Sequence, residues 1–167
     1  EDVVILTTSL GTLGPVSDNN DGTYTATLSS DVVLGIAVIT GSINGEMITG
    51  EASVVFIPGD AAATTTTMVV NSTSLTADGQ ATSTITVQVK DANGNLLASG
   101  GEAIVLSTTL GTLGPVVDNG DGTYSALFTS STSSGTARIT ATLNGDSVLD
   151  TIEVTLTPGV AAGIHRH

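Results

Sequence analysis

Hydrophobic and polar residues alternate with a period of two along much of this chain. In residues 83–90, Ile85, Val87 and Val89 occupy every second position, with threonine, glutamine and lysine around them. The alternation predicts a β-strand with one buried face, because successive side chains of a strand point to opposite sides. Four further segments have strand patterns, and they are residues 103–108, 124–128, 137–143 and 152–156. An irregular opening strand is expected from residue 68 to residue 75.

Turn signals separate these segments. Asp78-Gly79 precedes the clearest strand, residues 91–95 (Asp-Ala-Asn-Gly-Asn) follow it, and Asn144-Gly145 predicts a type I′ hairpin. Six or seven short strands punctuated by turns within about 100 residues indicate an all-β fold, an antiparallel β-sandwich.

The chain also repeats itself. Residues 10–16 (Leu-Gly-Thr-Leu-Gly-Pro-Val) return as residues 110–116, and residues 21–24 (Asp-Gly-Thr-Tyr) return as residues 121–124. The displacement is 100 positions in both cases and contains no insertion. A repeat of this length is the size of a whole domain, so the chain is predicted to hold tandem copies of one domain.

The first copy is incomplete. Residues 1–58 hold only the later strands of the unit, residues 59–160 form a complete unit, and residues 161–167 are interpreted as a tail left by an expression tag. The two opening strands, equivalent to residues 66–90, have no counterpart before Glu1. Three outcomes follow: the first copy is partly disordered, it borrows strands from a neighbouring molecule as a strand-complemented dimer, or residues 60–97 complete it.

The segments between copies are short. Residues 58–63 and 158–162 are the junctions, and the threonine run at residues 64–67 beside the first is interpreted as an extended, solvated connector. About five residues leave little slack, so successive units are expected to stack with limited swing.

Composition narrows the classes of function. The formal net charge is −13, with three basic residues, which argues against a nucleic-acid partner. No stretch approaches the ~20 apolar residues of a membrane span, so direct membrane insertion is not expected. There is no cysteine, and both histidines, His165 and His167, lie in the tail. A Ser-His-Asp arrangement therefore cannot form within the repeats, and we expect no enzymatic activity.

Two acidic turns are the candidate sites. Asp18 and Asp21 in the first copy match Asp118 and Asp121 in the second, and each pair resembles the start of a calcium loop. An EF-hand loop requires a bidentate glutamate at its twelfth position, where this chain has Thr129. We therefore expect no cofactor and interpret the segments as tight turns, with calcium binding as the alternative.

The residues expected to have structural roles in these turns are Gly22, Tyr24, Gly122 and Tyr124. The hydroxyl of Tyr124 is expected to bond the backbone of a preceding loop, as in a tyrosine corner.

The order of these motifs resembles the group 1 bacterial immunoglobulin-like repeats of the intimin/invasin adhesin family. The resemblance is carried by Asp78-Gly79 and by residues 89–95, 106–114, 118–124 and 135–140. It implies an immunoglobulin-like sandwich in the extracellular stalk of an outer-membrane-anchored adhesin, a spacer that supports cell adhesion without catalysis. Neighbouring immunoglobulin-like domains are then the expected partners. The alternative is a module that itself binds a host protein or glycan through exposed loops such as residues 94–101.

Overall fold

The computed structural model describes residues 1–159, which form strands and turns and contain no helix that could span a membrane. The chain divides into two compact units, unit 1 (Glu1–Ile57) and unit 2, which begins at Pro58. Unit 1 has eight strands: β1 (Val4–Thr8), β2 (Thr12–Leu13), β3 (Ser17–Asp18), β4 (Tyr24–Thr25), β5 (Leu28–Ser29), β6 (Gly35–Ile43), β7 (Glu46–Met47) and β8 (Ala52–Phe56).

Up to residue 159, unit 2 has ten strands. They are β9 (Ala61–Val70), β10 (Ser74–Thr76), β11 (Thr82–Asp91), β12 (Ile104–Thr108), β13 (Thr112–Leu113), β14 (Val117–Asp118), β15 (Thr123–Thr129), β16 (Gly135–Leu143), β17 (Asp146–Ser147) and β18 (Ile152–Thr157).

Unit 2 is a two-layered sandwich. One sheet has the strand order β10-β18-β16-β12 with β17 beside β16, and the other has the order β13-β15-β11-β9 with β14 beside β15. The inward residues of both sheets meet in one hydrophobic core. The all-β sandwich predicted from the alternation is confirmed.

The predicted inward positions are those that the core buries. Ile85, Val87 and Val89 of β11 are buried, as are alternate residues of β15, β16 and β18. The Asn144-Gly145 hairpin between β16 and β17 is also confirmed, because both residues have the positive φ (51° and 90°) that a type I′ turn requires.

The opening segment differs from its prediction. The single irregular strand expected from residue 68 to residue 75 is two strands in different sheets, since β9 pairs with β11 and β10 pairs with β18. The β10–β18 pairing is parallel, so the sandwich is not wholly antiparallel. Ser83 stabilises the crossing between the sheets: its hydroxyl donates to Asn71 Oδ1 (2.6 Å) and accepts from the Ser72 amide (2.9 Å).

The interpretation of residues 64–67 as a solvated connector is wrong, because the run lies inside β9. Thr66 is buried, and its hydroxyl donates to the Ala62 carbonyl at 2.8 Å. A threonine can be buried in a core in this way because a local backbone carbonyl satisfies its one polar group.

Unit 1 contains only part of this architecture. Its sheet consists of β1, β6 and β8 with β7 beside β6, while β2–β5 and β3–β4 form separate two-stranded pairs. The idea that residues 60–97 complete the first copy is wrong, since β9, β10 and β11 pair with strands of unit 2.

Candidate functional site

The acidic turn of unit 2 joins β14 to β15 and is held together by its own side chains. Asp121 Oδ1 accepts hydrogen bonds from the Thr123 amide (3.0 Å) and the Thr123 hydroxyl (2.6 Å). Asp21 and Thr23 repeat both bonds at the same distances in unit 1. These donors hold the pKa of Asp121 and that of Asp21 below the ordinary value, and the threonine hydroxyl has the largest effect.

Asp118 connects the turn to the loop before β12. Its Oδ1 accepts from the Gly120 amide at 2.9 Å, and its Oδ2 accepts from the Gly101 amide at 2.8 Å. Asp18 bonds the Asn20 amide at 2.8 Å in the equivalent turn. Residues 1–159 contain no group of three or more carboxylate or histidine side chains that could hold a metal. In both turns these oxygens accept hydrogen bonds from local donors.

Tyr124 lies next to this turn, and its ring is buried in the core. Its hydroxyl accepts a hydrogen bond from the Glu102 amide at 2.9 Å. Burial raises the pKa of Tyr124 above its ordinary value. Tyr24, the equivalent residue in unit 1, is only half-buried.

Gly122 is in close contact with the loop that follows β11. Its φ is +92°, and a methyl group at its Cα would overlap the carbonyl of Leu97. Its carbonyl accepts from the Val89 amide at 3.0 Å, which ties the turn to β11. Gly22 has a similar φ of +94°, but a methyl group there would have no heavy atom within 4 Å.

Asp91 belongs to the turn predicted at residues 91–95, and the structure gives it a larger role. This buried carboxylate accepts from the Gly59 amide (2.9 Å) and from the Asn93 and Asn95 amides (2.9 Å each). The Asn95 side chain donates to it as well. These hydrogen bonds lower the pKa of Asp91 to about 2, and the bond from the Gly59 amide has the largest effect. The turn motif signals the local bonds, but no local signal reveals a partner 32 residues earlier.

The loop at residues 94–101, the candidate binding loop, is anchored at several points. Leu97 packs against the core and its amide donates to the Val89 carbonyl at 3.0 Å, and Gly101 is bonded to Asp118. Leu96 is exposed. These contacts fix the loop to its own domain.

The surface of unit 2 offers an open groove lined by Thr84, Pro115, Val117, Ser125 and Leu127, which carry no titratable group. The two histidines lie outside the described residues. The carboxylates whose pKa is lowered are poor general acids at neutral pH, because hydrogen-bond donors hold them ionised. The same hydrogen bonds fix the loops that hold these carboxylates.

Comparison with known proteins places these features in one family. A family model described as "Invasin, domain 3" matches residues 1–59 and 62–159. InvD of Yersinia pseudotuberculosis has a similar structure: it is 32% identical with a TM-score of 0.66, and the match covers 100% of this chain and 50% of InvD.

Two further structures are similar. Invasin, described as a bacterial integrin-binding protein, is 30% identical with a TM-score of 0.55, over 95% of this chain and 32% of invasin. The Escherichia coli adhesin FdeC shares the fold, at 24% identity and a TM-score of 0.67, over 93% of this chain and 52% of FdeC. This chain thus spans about half or less of the length of these proteins.

Proposed function

The chain belongs to the invasin domain 3 family, whose members have the immunoglobulin-like sandwich, and from that premise we propose a spacer role in a bacterial adhesin. In this proposal the two units are consecutive modules of an extracellular stalk. The parent protein is anchored in the bacterial outer membrane, and the stalk supports cell adhesion by carrying a recognition domain away from the cell.

One observation carries the spacer role: three acidic residues in the loops of unit 2 are occupied by hydrogen-bond donors of the same unit. Asp91, Asp118 and Asp121 each accept two or more hydrogen bonds from nearby backbone or side-chain donors. Within residues 1–159, every buried side-chain polar atom has a hydrogen-bond partner. A binding or catalytic site usually keeps polar groups free for its ligand, so this pattern supports a structural role.

The test is to display the chain on bacteria, fused to an outer-membrane anchor. One version also has a terminal binding domain whose receptor is known, and the other version lacks this tip. With the tip, we expect adhesion to receptor-bearing cells. Without the tip, adhesion should equal that of the anchor alone. Adhesion by the tipless chain would overturn the spacer role and favour the alternative, direct binding of a host protein or glycan.

The tipless display also locates any binding surface. The exposed Leu96 is the side chain of the candidate loop best placed to contact a partner, so Leu96→Ser is the matched variant. Tipless adhesion that Leu96→Ser abolishes would assign the binding to residues 94–101.

We also propose that the chain requires no calcium or other cofactor. Isothermal titration of the chain with calcium should give no saturable heat at micromolar concentrations. Asp121→Ala is the matched variant, since it removes the carboxylate that Thr123 now occupies. Micromolar binding that disappears in Asp121→Ala would show that the acidic turn is a calcium site.

A further inference from the structure

The connection between β9 and β10 has the one Asn-x-Ser/Thr sequence of the chain, residues 71–73 (Asn-Ser-Thr). This is the acceptor sequence for N-linked glycosylation, in which the side-chain amide of the asparagine receives the sugar and a hydroxyl follows two residues later. Such a short sequence also arises by chance. The surroundings of the two side chains therefore decide whether the folded domain presents it to a transferase.

The carboxamide of Asn71 is held by its oxygen and free at its nitrogen. Asn71 Oδ1 accepts hydrogen bonds from the Ser83 hydroxyl (2.6 Å) and from the Thr84 amide (2.8 Å). Within residues 1–159, Asn71 Nδ2 donates to no protein atom, and the residue is exposed. The structural role of Asn71 therefore uses its oxygen and leaves the acceptor nitrogen available.

The hydroxyl of the acceptor sequence is available as well. Thr73 is exposed, and its hydroxyl bonds no other group of residues 1–159. The backbone carbonyl of Thr73 accepts from the Thr155 amide at 2.8 Å, which fixes the connection without using that hydroxyl. Asn144 differs, because it is also exposed but its Nδ2 donates to Glu102 Oε1 at 2.8 Å.

The connection lies where both sheets of unit 2 end. Within residues 1–159, β9 pairs only with β11 and β10 pairs only with β18, so each is the last strand of its sheet. Residues 61–77 contain no charged residue and no proline. Charged side chains and proline are common means by which edge strands avoid pairing with another chain. A bulky hydrophilic glycan between these two edges would supply the protection that they lack.

We propose that Asn71 of the folded domain is an acceptor for an N-linked glycan, and that this glycan shields the edges formed by β9 and β10. The donor is a sugar activated as a diphosphate ester on a nucleotide or lipid carrier, and a separate glycosyltransferase catalyses the transfer. The bond from the anomeric carbon to the phosphate oxygen breaks and leaves its electron pair with the diphosphate. The anomeric carbon bonds to Asn71 Nδ2, which loses one proton. This inference does not depend on the spacer role proposed above.

The test treats the purified, folded chain with two transferases that recognise Asn-x-Ser/Thr. One uses a nucleotide-linked sugar, and the other uses a lipid-linked oligosaccharide. We expect the intact mass to rise by a single glycan in at least one arm, with the modified peptide containing Asn71, and the successful arm identifies the carrier of the donor. Absence of transfer in both arms would overturn the proposal, as would a glycan on another asparagine in place of Asn71.

Two variants isolate the acceptor groups. Asn71→Asp removes the acceptor nitrogen but retains an oxygen that can accept from Ser83 and Thr84. Thr73→Ala removes a hydroxyl that makes no bond within residues 1–159, so the fold is kept even if Asn71→Asp is unstable. Both variants should lose the mass increase completely. A glycan on either variant at the same peptide would overturn the proposal.

Asp146→Thr tests whether a free nitrogen is what distinguishes Asn71. It places threonine two residues after Asn144, so the same acceptor sequence then occurs in a second exposed turn. We expect transfer to Asn144 to be roughly tenfold slower than transfer to Asn71 in the same molecule, because its amide must first leave the Glu102 carboxylate. Equal rates would overturn the assignment of Asn71 from its free nitrogen.

Light scattering during heating tests the shielding role. The chain glycosylated at Asn71 should aggregate at a higher temperature than the unglycosylated chain, because the glycan obstructs pairing at β9 and β10. The position control is the Asp146→Thr, Thr73→Ala double variant glycosylated at Asn144, which should be protected less. Equal aggregation of the glycosylated and unglycosylated chains would overturn the shielding role, as would equal protection by the two glycan positions.

Discussion

Tyr124 joins the core of unit 2 to the loop that precedes β12. Its ring packs among the inward residues of both sheets, and its hydroxyl accepts the Glu102 amide at 2.9 Å. The residue thus combines apolar burial with one polar contact, which is how buried tyrosines are usually accommodated. The hydroxyl therefore holds the loop before β12 close to the acidic turn.

Replacing Tyr124 by phenylalanine isolates that hydroxyl. We expect Tyr124→Phe to lower the free energy of unfolding of unit 2 by about 1 kcal/mol, because the Glu102 amide loses its acceptor. Urea unfolding followed by circular dichroism measures the change. Tyr24→Phe is the matched control and should cost less, since water reaches the half-buried Tyr24. Equal costs would show that burial in unit 2 does not strengthen the contribution of the Tyr124 hydroxyl.

Asp91 makes the stability of unit 2 depend on pH at the acidic end. The pKa of Asp91 in the folded protein is about 2, below the ordinary value of 3.8. A lowered pKa means that folding favours the carboxylate, so the contribution is complete above the ordinary value and is lost as the pH falls from about 4 towards 2. The loss should release Gly59 and the turn after β11 together.

The Asp91→Asn variant tests this dependence. It should be less stable than the original chain at pH 7, and the difference should shrink as the pH falls from about 4 to 2. Urea unfolding at pH 7, 4, 3 and 2.5 measures it. Asp146→Asn, at the exposed β16–β17 hairpin, controls for the loss of one charge. A difference in the free energy of unfolding that stays constant across this range would exclude ionisation of Asp91 as its cause.

At the scale of the elements, the loop after β11 and the acidic turn before β15 lie against each other. Gly122 permits this approach, because a side chain there would overlap the Leu97 carbonyl. Gly120 lies in the same turn with a φ of +80°, and a methyl group at its Cα would meet no heavy atom within 4 Å. The two glycines share the backbone conformation but differ in their surroundings.

Alanine substitutions separate these two effects. Gly120→Ala should cost about 1 kcal/mol from left-handed backbone strain alone. Gly122→Ala should cost about 3 kcal/mol or more, since the overlap with Leu97 adds to the same strain. Urea unfolding of both variants gives the comparison. Equal costs would mean that the loop containing Leu97 moves away freely, and that its contact with Gly122 does not contribute to stability.

The elements differ in how far the sequence could predict them. The alternation of Ile85, Val87 and Val89 predicts a half-buried strand, because period-two burial is a local property of strands. The parallel pairing of β10 with β18 joins residues about 80 positions apart and has no local signal. Thr66 was missed for a related reason, since burial of its hydroxyl depends on its Ala62 partner and on the strand packed over it.

The site residues follow the same rule. The bonds that Asp21 and Asp121 accept from Thr23 and Thr123 join residues two apart, so a local pattern can indicate these turns. The bond from the Gly101 amide to Asp118 spans 17 residues and has no such local signal. The contacts of Asp91 with Gly59 and of Gly122 with Leu97 cross longer stretches of chain and depend on the complete fold. The split of the β15 equivalent in unit 1 could not be predicted from its own residues, which alternate as those of β15 do.

At the scale of the whole molecule, the central strands β6 and β16 have equivalent neighbours but unequal hydrophobic support. In unit 1, β6 pairs with β1 and β8, and in unit 2, β16 pairs with β12 and β18 in the same register. The backbone ladders are therefore equivalent. The hydrophobic core is not, since the main cluster of buried residues lies entirely in unit 2, and Ala37 and Phe56 are the buried hydrophobic residues of unit 1.

The size of this difference follows from burial. Full burial of a valine, leucine or isoleucine side chain contributes about 1.5–3 kcal/mol. Ile43, Ile48 and Val54 each forfeit about two-fifths of that contribution, roughly 3 kcal/mol for the three together. The absence of the facing residues of β9 and β11 from unit 1 adds to this figure. Unit 1 should therefore be the less stable of the two by at least this amount.

Hydrogen exchange on the unmodified chain tests the inequality strand by strand. Amides of β6 should exchange about a hundredfold faster than their counterparts in β16, because about 3 kcal/mol corresponds to roughly two powers of ten. The comparison is internally controlled, since the two strands have the same length and register. If β6 and β16 exchange at the same rate, the ladder rather than the core limits opening. The exposed face of unit 1 would then carry no energetic penalty.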